Sequence, residues 1–361
     1  MRKFTKFFVV IGLIAVMAMS VPFFTGCEAE TVTTTKTTTV TSTSAATVTS
    51  VSTETVENTV TSISTVTETL VSTVTGVVQL ISVIDDAGVT YTFEKPVNSI
   101  ISLSPTITEM VYFVNAGDTL IGRTDYCSYP EGVNQVESIG GYFDPNKEKI
   151  LLLDADVVLA DSIQCTTGDV EWLQSQGVTV IVLAPSDIEG VMRDIILIGE
   201  ITGNKTVATD AVAGLKARIN AVTDAISNVN EEDKPSILHI TWHDPLWTVG
   251  EHSFLDAIIN MAGGINIFAD VEWDVMVDLE QAVARNPDFI TIVSDQGSRI
   301  SYDYVTAEDS PFKATNAYLN DCVFMVDADI VSRASQRIVD ALEFYAKLFY
   351  PEIFSNILIT E

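Results

Sequence analysis

The sequence predicts an α/β protein of two lobes with mostly parallel sheets, joined by one long rigid α-helix. One pattern occurs twice: Glu148-Lys-Ile-Leu-Leu-Leu-Asp-Ala-Asp156 precedes Val-Val-Leu-Ala, and Glu280-Gln-Ala-Val-Ala-Arg-Asn-Pro-Asp288 precedes Phe-Ile-Thr-Ile. In both copies a short amphipathic helix leads into an apolar run typical of a buried parallel strand. Between the copies, residues 205–226 carry apolar side chains at helical spacing, which predicts the connecting helix.

The N-terminus has the composition of a secretory signal. Arg2, Lys3 and Lys6 precede an apolar run that ends at Thr25-Gly26-Cys27. The stretch resembles a bacterial lipoprotein signal, in which Cys27 is lipidated and becomes the mature N-terminus. An uncleaved membrane anchor is the alternative, because the run is just long enough to span a bilayer. Both interpretations place the rest of the chain outside the cytoplasm, tethered to a membrane.

The next segment consists almost wholly of Thr, Val and Ser, without an aromatic residue. Such a tract buries too little surface to offset its chain entropy, which favours an extended stalk, with O-glycosylation as a further option. The Thr/Val alternation also permits β-pairing. We place the boundaries as follows: signal peptide 1–26, Thr/Val/Ser-rich stalk 27–76, N-terminal α/β lobe 77–185, interlobe helical segment 186–232 and C-terminal α/β lobe 233–361.

Elements of the first lobe are predicted from local signals. Alternation on both sides of Asp85-Asp86-Ala-Gly88 predicts a hairpin. Ile100 to Leu103 is a buried strand, and the following helix has Pro105 in its first turn, with Thr106 and Glu109 at capping-box spacing. Further on, the pattern predicts a helix over 170–176, a strand over 178–183 and a first interlobe helix over 187–201.

The second lobe repeats this alternation of strands and helices. Strands are predicted over 237–240 and 323–326, and helices over 254–261 and 335–349. Cys127 and Cys165 both follow predicted strands of the first lobe, and in an oxidising compartment a disulfide between them is our hypothesis. Cys322 precedes a strand and is interpreted as a buried thiol.

Charge and motifs exclude several functions. The net charge of −30 makes nucleic acid a poor partner, because a phosphate backbone requires a basic surface. The sequence has no Gly-x-Ser-x-Gly or Gly-x-Gly-x-x-Gly motif, and no nucleophile with a base is apparent, so we expect no enzyme. His239 and His243 are four residues apart, but they lie on a predicted strand and in the turn after it, so we predict no metal site.

Aromatic residues in loops next to strand ends indicate a ligand site. They include Tyr126, Tyr129, Tyr142, Phe143, Trp242, Trp247 and Trp273, of which we interpret Tyr129 and Trp247 as packing locally. Ligands of open α/β sheets bind at the carboxyl ends of strands, and a large hydrophobic ligand requires flat apolar walls there. His243 and Arg333 also follow strands.

These residues together resemble the substrate-binding proteins of cobalamin and ferric-siderophore ABC importers. The resemblance spans residues 80–361 and is carried by six stretches: Ser102-Leu-Ser-Pro-Thr-Ile-Thr-Glu109, Gly122-Arg-Thr-Asp-Tyr-Cys-Ser-Tyr-Pro130, Gly140-Gly-Tyr-Phe-Asp-Pro-Asn-Lys-Glu148, Trp242-His-Asp-Pro-Leu-Trp-Thr-Val-Gly250, Ala262-Gly-Gly-Ile-Asn-Ile-Phe268 and Val331-Ser-Arg-Ala-Ser-Gln-Arg337. It implies two Rossmann-like lobes joined by a rigid helix, with little lobe closure on ligand capture.

The resemblance also implies residue roles. Glu148 and Glu280 match glutamates that dock onto arginines of the membrane permease. The expected ligand-binding residues are Tyr126, Tyr142, Trp242, His243, Trp273, Asp329 and Arg333. Trp273 stands one residue farther from Glu280 than is usual, and Asp161 replaces a tryptophan that cobalamin binders can carry. The expected ligand is cobalamin or a related corrinoid, with ferric siderophore or haem as the alternative.

The expected partners are an ABC transporter permease with its cytoplasmic ATPase, a small-molecule ligand and the membrane, through the N-terminal lipid. We expect no cofactor and a monomer.

Overall fold

The computed structural model describes residues 30–41, 47–55, 64–66, 80–294 and 299–355. The chain divides into two compact units, Met1–Gln79 and Leu80–Glu361. The predicted signal peptide and Cys27 lie outside the described residues. No helix within the described ranges is both long enough and apolar enough to cross a membrane.

The described parts of the first unit form a three-stranded sheet. Strand β1 (Glu30–Thr41) pairs antiparallel with β2 (Thr47–Thr55) and parallel with β3 (Ser64–Val66). These strands have the β-pairing that we gave as the alternative for this tract, while its role as a stalk stays a prediction. The reason lies in the composition, because Thr and Val are β-branched and favour extended backbone.

The second unit begins with the predicted hairpin and continues into the first lobe. Strand β4 (Ile81–Ile84) pairs antiparallel with β5 (Thr90–Phe93), which confirms the hairpin. Four parallel strands follow, with the spatial order β7-β6-β8-β9. They are β6 (Ile100–Ser102), β7 (Leu120–Arg123), β8 (Val157–Ala160) and β9 (Val180–Val182). The helices of this lobe are α1 (Pro105–Phe113), α2 (Lys147–Leu153), α3 (Ser162–Thr166) and α4 (Asp169–Ser175).

The second lobe contains a parallel sheet of the same kind, with the order β13-β10-β15-β16. A small antiparallel sheet, β11-β12-β14, lies within the same lobe. The strands are β10 (Ser236–Ile240), β11 (Trp242–His243), β12 (Leu246–Val249), β13 (Ile265–Asn266), β14 (Asp274–Met276), β15 (Phe289–Ser294) and β16 (Val323–Asp327). The helices are α7 (Phe254–Met261), α8 (Leu279–Ala284), α9 (Ile300–Thr306), α10 (Asn316–Leu319), α11 (Ala328–Ser332), α12 (Ile338–Phe349) and α13 (Pro351–Phe354).

Two helices connect the lobes, α5 (Ile188–Ile201) and α6 (Lys205–Ile226). With 22 residues, α6 is about 33 Å long at 1.5 Å per residue. Arg218 on α6 donates hydrogen bonds to Asp340 (2.6 Å) and to Glu343 (2.8 and 2.7 Å) on α12. One apolar core contains residues of α1, α5, α6, α7 and α12, so the connection is a packed helix rather than a free hinge.

The repeated sequence pattern corresponds to one structural unit in each lobe. Asn146 caps α2 by accepting a hydrogen bond from the Lys149 amide at 3.0 Å, and Asp278 caps α8 through the Gln281 amide at 3.1 Å. Each capping residue stands two positions before the glutamate of the pattern. In both lobes the helix leads into the strand that comes third in chain order in the parallel sheet. This strand pairs with the first strand of its sheet: β8 pairs with β6, and β15 pairs with β10.

The aspartate of each repeat fastens the first strand of its sheet. Asp156 Oδ2 accepts hydrogen bonds from the amides of Asn98 (2.8 Å) and Ser99 (3.1 Å), directly before β6. Asp288 Oδ2 accepts from the Ser236 amide (3.0 Å) and hydroxyl (2.7 Å) at the start of β10. The two aspartates therefore supply acceptors for backbone groups that the parallel ladder leaves unpaired.

The hypothesis of a disulfide is wrong, because Cys127 and Cys165 are free thiols in the structure. Cys127 is buried, and its Sγ lies 3.1 Å from Thr108 Oγ1 and 3.3 Å from Thr124 Oγ1. Cys165 lies on α3, after a different strand. Both residues follow strands, as predicted, but packing directs the Cys127 thiol toward hydroxyl groups of its own surroundings. Cys322 is a free thiol as well and is half-buried.

We predict that Asp288→Ala lowers the free energy of unfolding by about 1–2 kcal/mol at pH 7, because it removes the acceptor of a strand-opening amide. Burial opposes ionisation of Asp288, but hydrogen bonds from Ser236 and Asn316 leave its pKa lowered overall. The carboxylate therefore stabilises the fold above the unfolded pKa of about 3.9, and this contribution is lost as the pH falls through the folded pKa.

Urea denaturation of the variant and the wild type, at pH 7 and at acidic pH, measures the difference in the free energy of unfolding. Asp210→Ala on the exposed face of α6 is the matched control and is expected to change stability by less than about 0.5 kcal/mol. Equal stability of the two variants at pH 7 would contradict the role given to Asp288.

Candidate functional site: a cleft between the lobes

A cleft of about 960 Å³ is lined by residues of both lobes. This volume is at the upper end of the range typical of small-molecule sites. The first lobe contributes the loop after β7, and the second lobe contributes the carboxyl ends of β15 and β16 together with α11. The lining residues are Asp125, Tyr126, Ser128, Ser294, Met325, Val326, Asp327, Ala328, Asp329 and Arg333. Three of the predicted ligand-binding residues, Tyr126, Asp329 and Arg333, are therefore brought together.

An aromatic cluster borders the cleft on the first lobe. The ring centroids of Tyr126 and Tyr142 are 6.2 Å apart, and the ring of Phe143 lies 4.8 Å from Tyr142 and 6.3 Å from Tyr126. Tyr126 and Phe143 are 55% and 60% exposed, so their faces are open to a ligand. Tyr142 thus joins the cleft through its contact with Tyr126.

Tyr142 is held in place by the start of α3. Its hydroxyl donates a 2.8 Å hydrogen bond to Asp161 Oδ2, and its carbonyl accepts one from Gln164 Nε2 at 2.9 Å. Burial and the neighbouring Asp161 carboxylate raise the pKa of Tyr142. Asp161, which stands where the resemblance implied a tryptophan, therefore orients a cleft tyrosine in this chain.

The polar side of the cleft is formed by Asp329 and Arg333. Arg333 Nη2 lies 2.6 Å from Asp329 Oδ1, and its Nη1 donates a 2.8 Å hydrogen bond to Glu109 of the first lobe. Glu109 is only 1% exposed, and burial raises its pKa against the opposing effects of Ser335, Arg333 and Arg337. The predicted capping box of α1 is wrong, because Ser104 is the N-cap residue and the Glu109 side chain contacts the second lobe.

Trp242 and His243 lie on the small antiparallel sheet and are not among the residues that line the cleft. Trp242 stands directly opposite Trp247, and Trp247 is directly opposite Met276, so the three side chains share one face. All three are between 40% and 57% exposed. His243 packs 4.9 Å from Trp242 and 4.9 Å from Tyr304, and its Nδ1 is 2.9 Å from Ser301 Oγ. Trp247 therefore lies beside Trp242 and Met276 of its own small sheet, in agreement with the local packing that we expected, and it keeps an exposed face.

Trp273 borders a second, smaller hollow of about 490 Å³. Its ring is 6.0 Å from His252, and the hollow also includes Ser186, Asp187 and Glu251. The structure therefore does not bring Trp273 to Tyr126 and Arg333. The backbone φ of Trp273 is +58°, a left-handed conformation that directs the chain away from a regular strand.

His239 is a core residue on β10. It is 1% exposed, and its Nδ1 lies 2.9 Å from Thr291 Oγ1 and 3.2 Å from the Tyr345 hydroxyl. Burial lowers its pKa to about 3, so its imidazole is neutral at ordinary pH. In the described parts of the chain, no group of three or more His, Cys, Asp or Glu residues is placed to hold a metal ion.

Glu148 and Glu280 lie away from the cleft lining, in the first turns of α2 and α8. Both side chains are exposed. Because α2 and α8 are equivalent elements of the two lobes, the two carboxylates occupy equivalent positions.

The comparisons with known proteins agree with this architecture. Residues 100–329 match the family described as periplasmic binding protein, and the chain belongs to this family. An uncharacterized ABC transporter substrate-binding lipoprotein of Bacillus subtilis is 28% identical over 281 residues, which cover 76% of this chain and 87% of that protein. A cobalamin-binding protein of Halobacterium salinarum is 27% identical over 274 residues, which cover 74% of this chain and 73% of that protein.

Solved structures show the same two-lobed fold. The periplasmic vitamin B12 binding protein of Vibrio cholerae has a TM-score of 0.62 at 23% identity, covering 71% of this chain and 98% of that chain. A periplasmic haem-binding protein from Roseiflexus has a TM-score of 0.63 at 22% identity, covering 71% and 99%. The predicted fold class is therefore confirmed.

We predict that the His239 imidazole stays neutral between about pH 5 and 8, because protonation would place an unpaired charge in the core. The unfolded chain binds this proton near pH 6.5 and the folded chain does not, so stability falls as the pH drops below that value. Nitrogen NMR shifts of the imidazole measure its protonation. A midpoint near 6.5 for His239 would contradict the buried position.

Proposed function

We propose that this protein captures cobalamin or a related corrinoid in the interlobe cleft and delivers it to an ABC importer. The observation that carries this proposal is the composition of the cleft, where Tyr126 and its aromatic neighbours stand beside the charged pair Asp329 and Arg333. A corrin ring offers a broad apolar face and polar amide substituents, and it requires both kinds of contact. The Halobacterium relative supports the same ligand class.

Ferric siderophore or haem is the alternative ligand. The haem-binding protein from Roseiflexus has the same fold, and Tyr126 offers a half-exposed phenol at the cleft. A tyrosine oxygen is an established haem-iron ligand in proteins, and a flat porphyrin also stacks on aromatic rings. Parallel titrations separate the two ligand classes.

The protein acts by binding and release as an extracytoplasmic monomer, with no catalytic step. Its N-terminus is anchored through lipid on Cys27, which is supported by the leader sequence and by the lipoprotein relative from Bacillus subtilis. Packing of α6 against α12 through Arg218 favours a small change of lobe angle on capture, because a continuous helix lacks the backbone rotations of a hinge.

Delivery requires docking on a permease that is coupled to a cytoplasmic ATPase. The exposed carboxylates of Glu148 and Glu280, one on each lobe, are suited to two basic sockets on such a partner. Leu152 lies one turn after Glu148 on α2 and is 84% exposed, so an apolar side chain is available beside this carboxylate.

We predict that the full chain binds cyanocobalamin one-to-one with submicromolar affinity, measured by quenching of tryptophan fluorescence. Tyr126→Ala is expected to weaken binding about tenfold, equivalent to about 1.4 kcal/mol, through loss of an aromatic contact. Leu319→Ala is the control, because Leu319 is 68% exposed but lies before β16, at the opposite end of that strand from the cleft.

Haem and a ferric siderophore are titrated in parallel. Saturable binding of one of these ligands, without binding of cyanocobalamin, would assign that ligand to the cleft and leave the proposed role in an ABC importer unchanged. No binding of any of the three would reject the cleft as a site for this class of ligand.

We predict that Glu148→Lys combined with Glu280→Lys abolishes cellular uptake of labelled cobalamin and leaves its binding affinity unchanged. Reversal of both charges would oppose arginine sockets on the permease without altering the cleft. Asp210→Lys combined with Glu232→Lys gives the same change of net charge at exposed positions and is expected to preserve uptake. A loss of affinity in the first variant would instead assign Glu148 and Glu280 to the ligand site.

A further inference from the structure

A buried carboxylate of the first lobe is bonded to three residues of the second lobe. Glu109, on α1, has a side chain with no exposed surface. Its Oε1 accepts a hydrogen bond from Arg333 Nη1 at 2.8 Å and one from Arg337 Nη1 at 3.5 Å, and its Oε2 accepts from Ser335 Oγ at 2.7 Å. Both of its oxygens are therefore used by the segment that follows α11.

The same network reaches the two walls of the cleft. Arg333 Nη2 lies 2.6 Å from Asp329 Oδ1 and 3.4 Å from Ser128 Oγ, and both Asp329 and Ser128 line the cleft. The guanidinium of Arg337 lies over the ring of Tyr129, 4.7 Å from its centroid. Tyr129 belongs to the loop that carries Tyr126, so one carboxylate connects the polar residues of the second lobe with the aromatic loop of the first.

We infer that Glu109 is the positioning residue of the binding cleft: it holds Arg333 so that the other guanidinium nitrogen faces Asp329 and the ligand. The physical reason is the burial of the pair. A carboxylate without exposed surface is costly to leave without its cationic partner, which restricts Arg333 to the few rotamers that keep this bond. Glu109 does not line the cleft and acts through Arg333.

The same contact also limits the separation of the lobes. Glu109 lies on α1 of the first lobe, while its three partners lie between the end of α11 and the start of α12 in the second lobe. Opening the cleft at this end would break three hydrogen bonds to a buried charge. The contact therefore sets the distance between Arg333 and Tyr126 before the ligand binds.

The chain provides a matched control for this role. Glu343 is also buried, at 6% exposure, and it is also bonded to an arginine, accepting two hydrogen bonds from Arg218. That pair joins α6 to α12 and includes no residue of the cleft. Glu109→Gln and Glu343→Gln therefore remove comparable buried charges, and we expect both to lower the melting temperature, but only the first to change ligand binding.

The test is a double-mutant cycle with cyanocobalamin, using the full chain and the variants Glu109→Gln, Arg333→Gln and their combination. We expect each single variant to weaken binding about tenfold and the combined variant to bind no more weakly than Arg333→Gln alone. Glu343→Gln is expected to bind as the wild type does. Additive losses, or wild-type binding by Glu109→Gln, would overturn the inference.

This inference rests on the proposed function, and a second measurement keeps the two separate. Hydrogen exchange of the unliganded chain is expected to become faster in residues 328–333 in Glu109→Gln and to stay unchanged there in Glu343→Gln. If wild type binds none of the three ligands but this exchange result is obtained, the proposed function fails and the positioning of Arg333 stands. Unchanged exchange in Glu109→Gln, with normal binding by wild type, rejects only the positioning role.

Discussion

The parallel pairing of strands is the constraint on which the rest of the structure depends. Because β6 to β9, and likewise the four strands of the second parallel sheet, run in one direction, the loops after them collect at one edge of each sheet. The residues of the cleft come from these loops and from the strand ends before them: Tyr126 follows β7, Ser294 ends β15, and Asp327 ends β16. The packed helix α6 then keeps the two sheets in one compact unit, so these edges are available to a common ligand.

The duplicated αβ unit serves the fold and the proposed docking through different residues. Its aspartates, Asp156 and Asp288, accept hydrogen bonds from backbone amides at the start of the first strands. Its glutamates, Glu148 and Glu280, are exposed in the first turns of capped helices. The glutamate and the aspartate belong to the same helix–strand unit, and this unit is equivalent in both lobes. The hydrogen bonds that hold the strand in its sheet therefore also hold the two glutamates at equivalent positions. Structural repetition thus provides paired acidic side chains on the surface.

The two sides of the cleft differ in their chemistry and in how they are held. On the first lobe, Tyr142 is oriented by Asp161, and its ring supports Tyr126 and Phe143. On the second lobe, Arg333 is bonded to Asp329 and to a buried glutamate of the other lobe. Both arrangements reduce the side-chain freedom that a ligand would otherwise have to restrict on binding. A preorganised cleft suits a protein whose lobes are joined by packed helices rather than by a flexible hinge.

The sequence by itself determined the alternation of strands and helices in the two lobes, the repeat, both interlobe helices and the family resemblance. These features depend on hydrophobic periodicity and on residues close together in the chain. Only the tertiary structure decided which distant side chains meet: Glu109 contacts the second lobe instead of capping α1, Cys127 contacts hydroxyl groups instead of Cys165, and Trp273 lies apart from Tyr126. The physical reason is that such contacts depend on distances between packed segments, which local patterns do not encode.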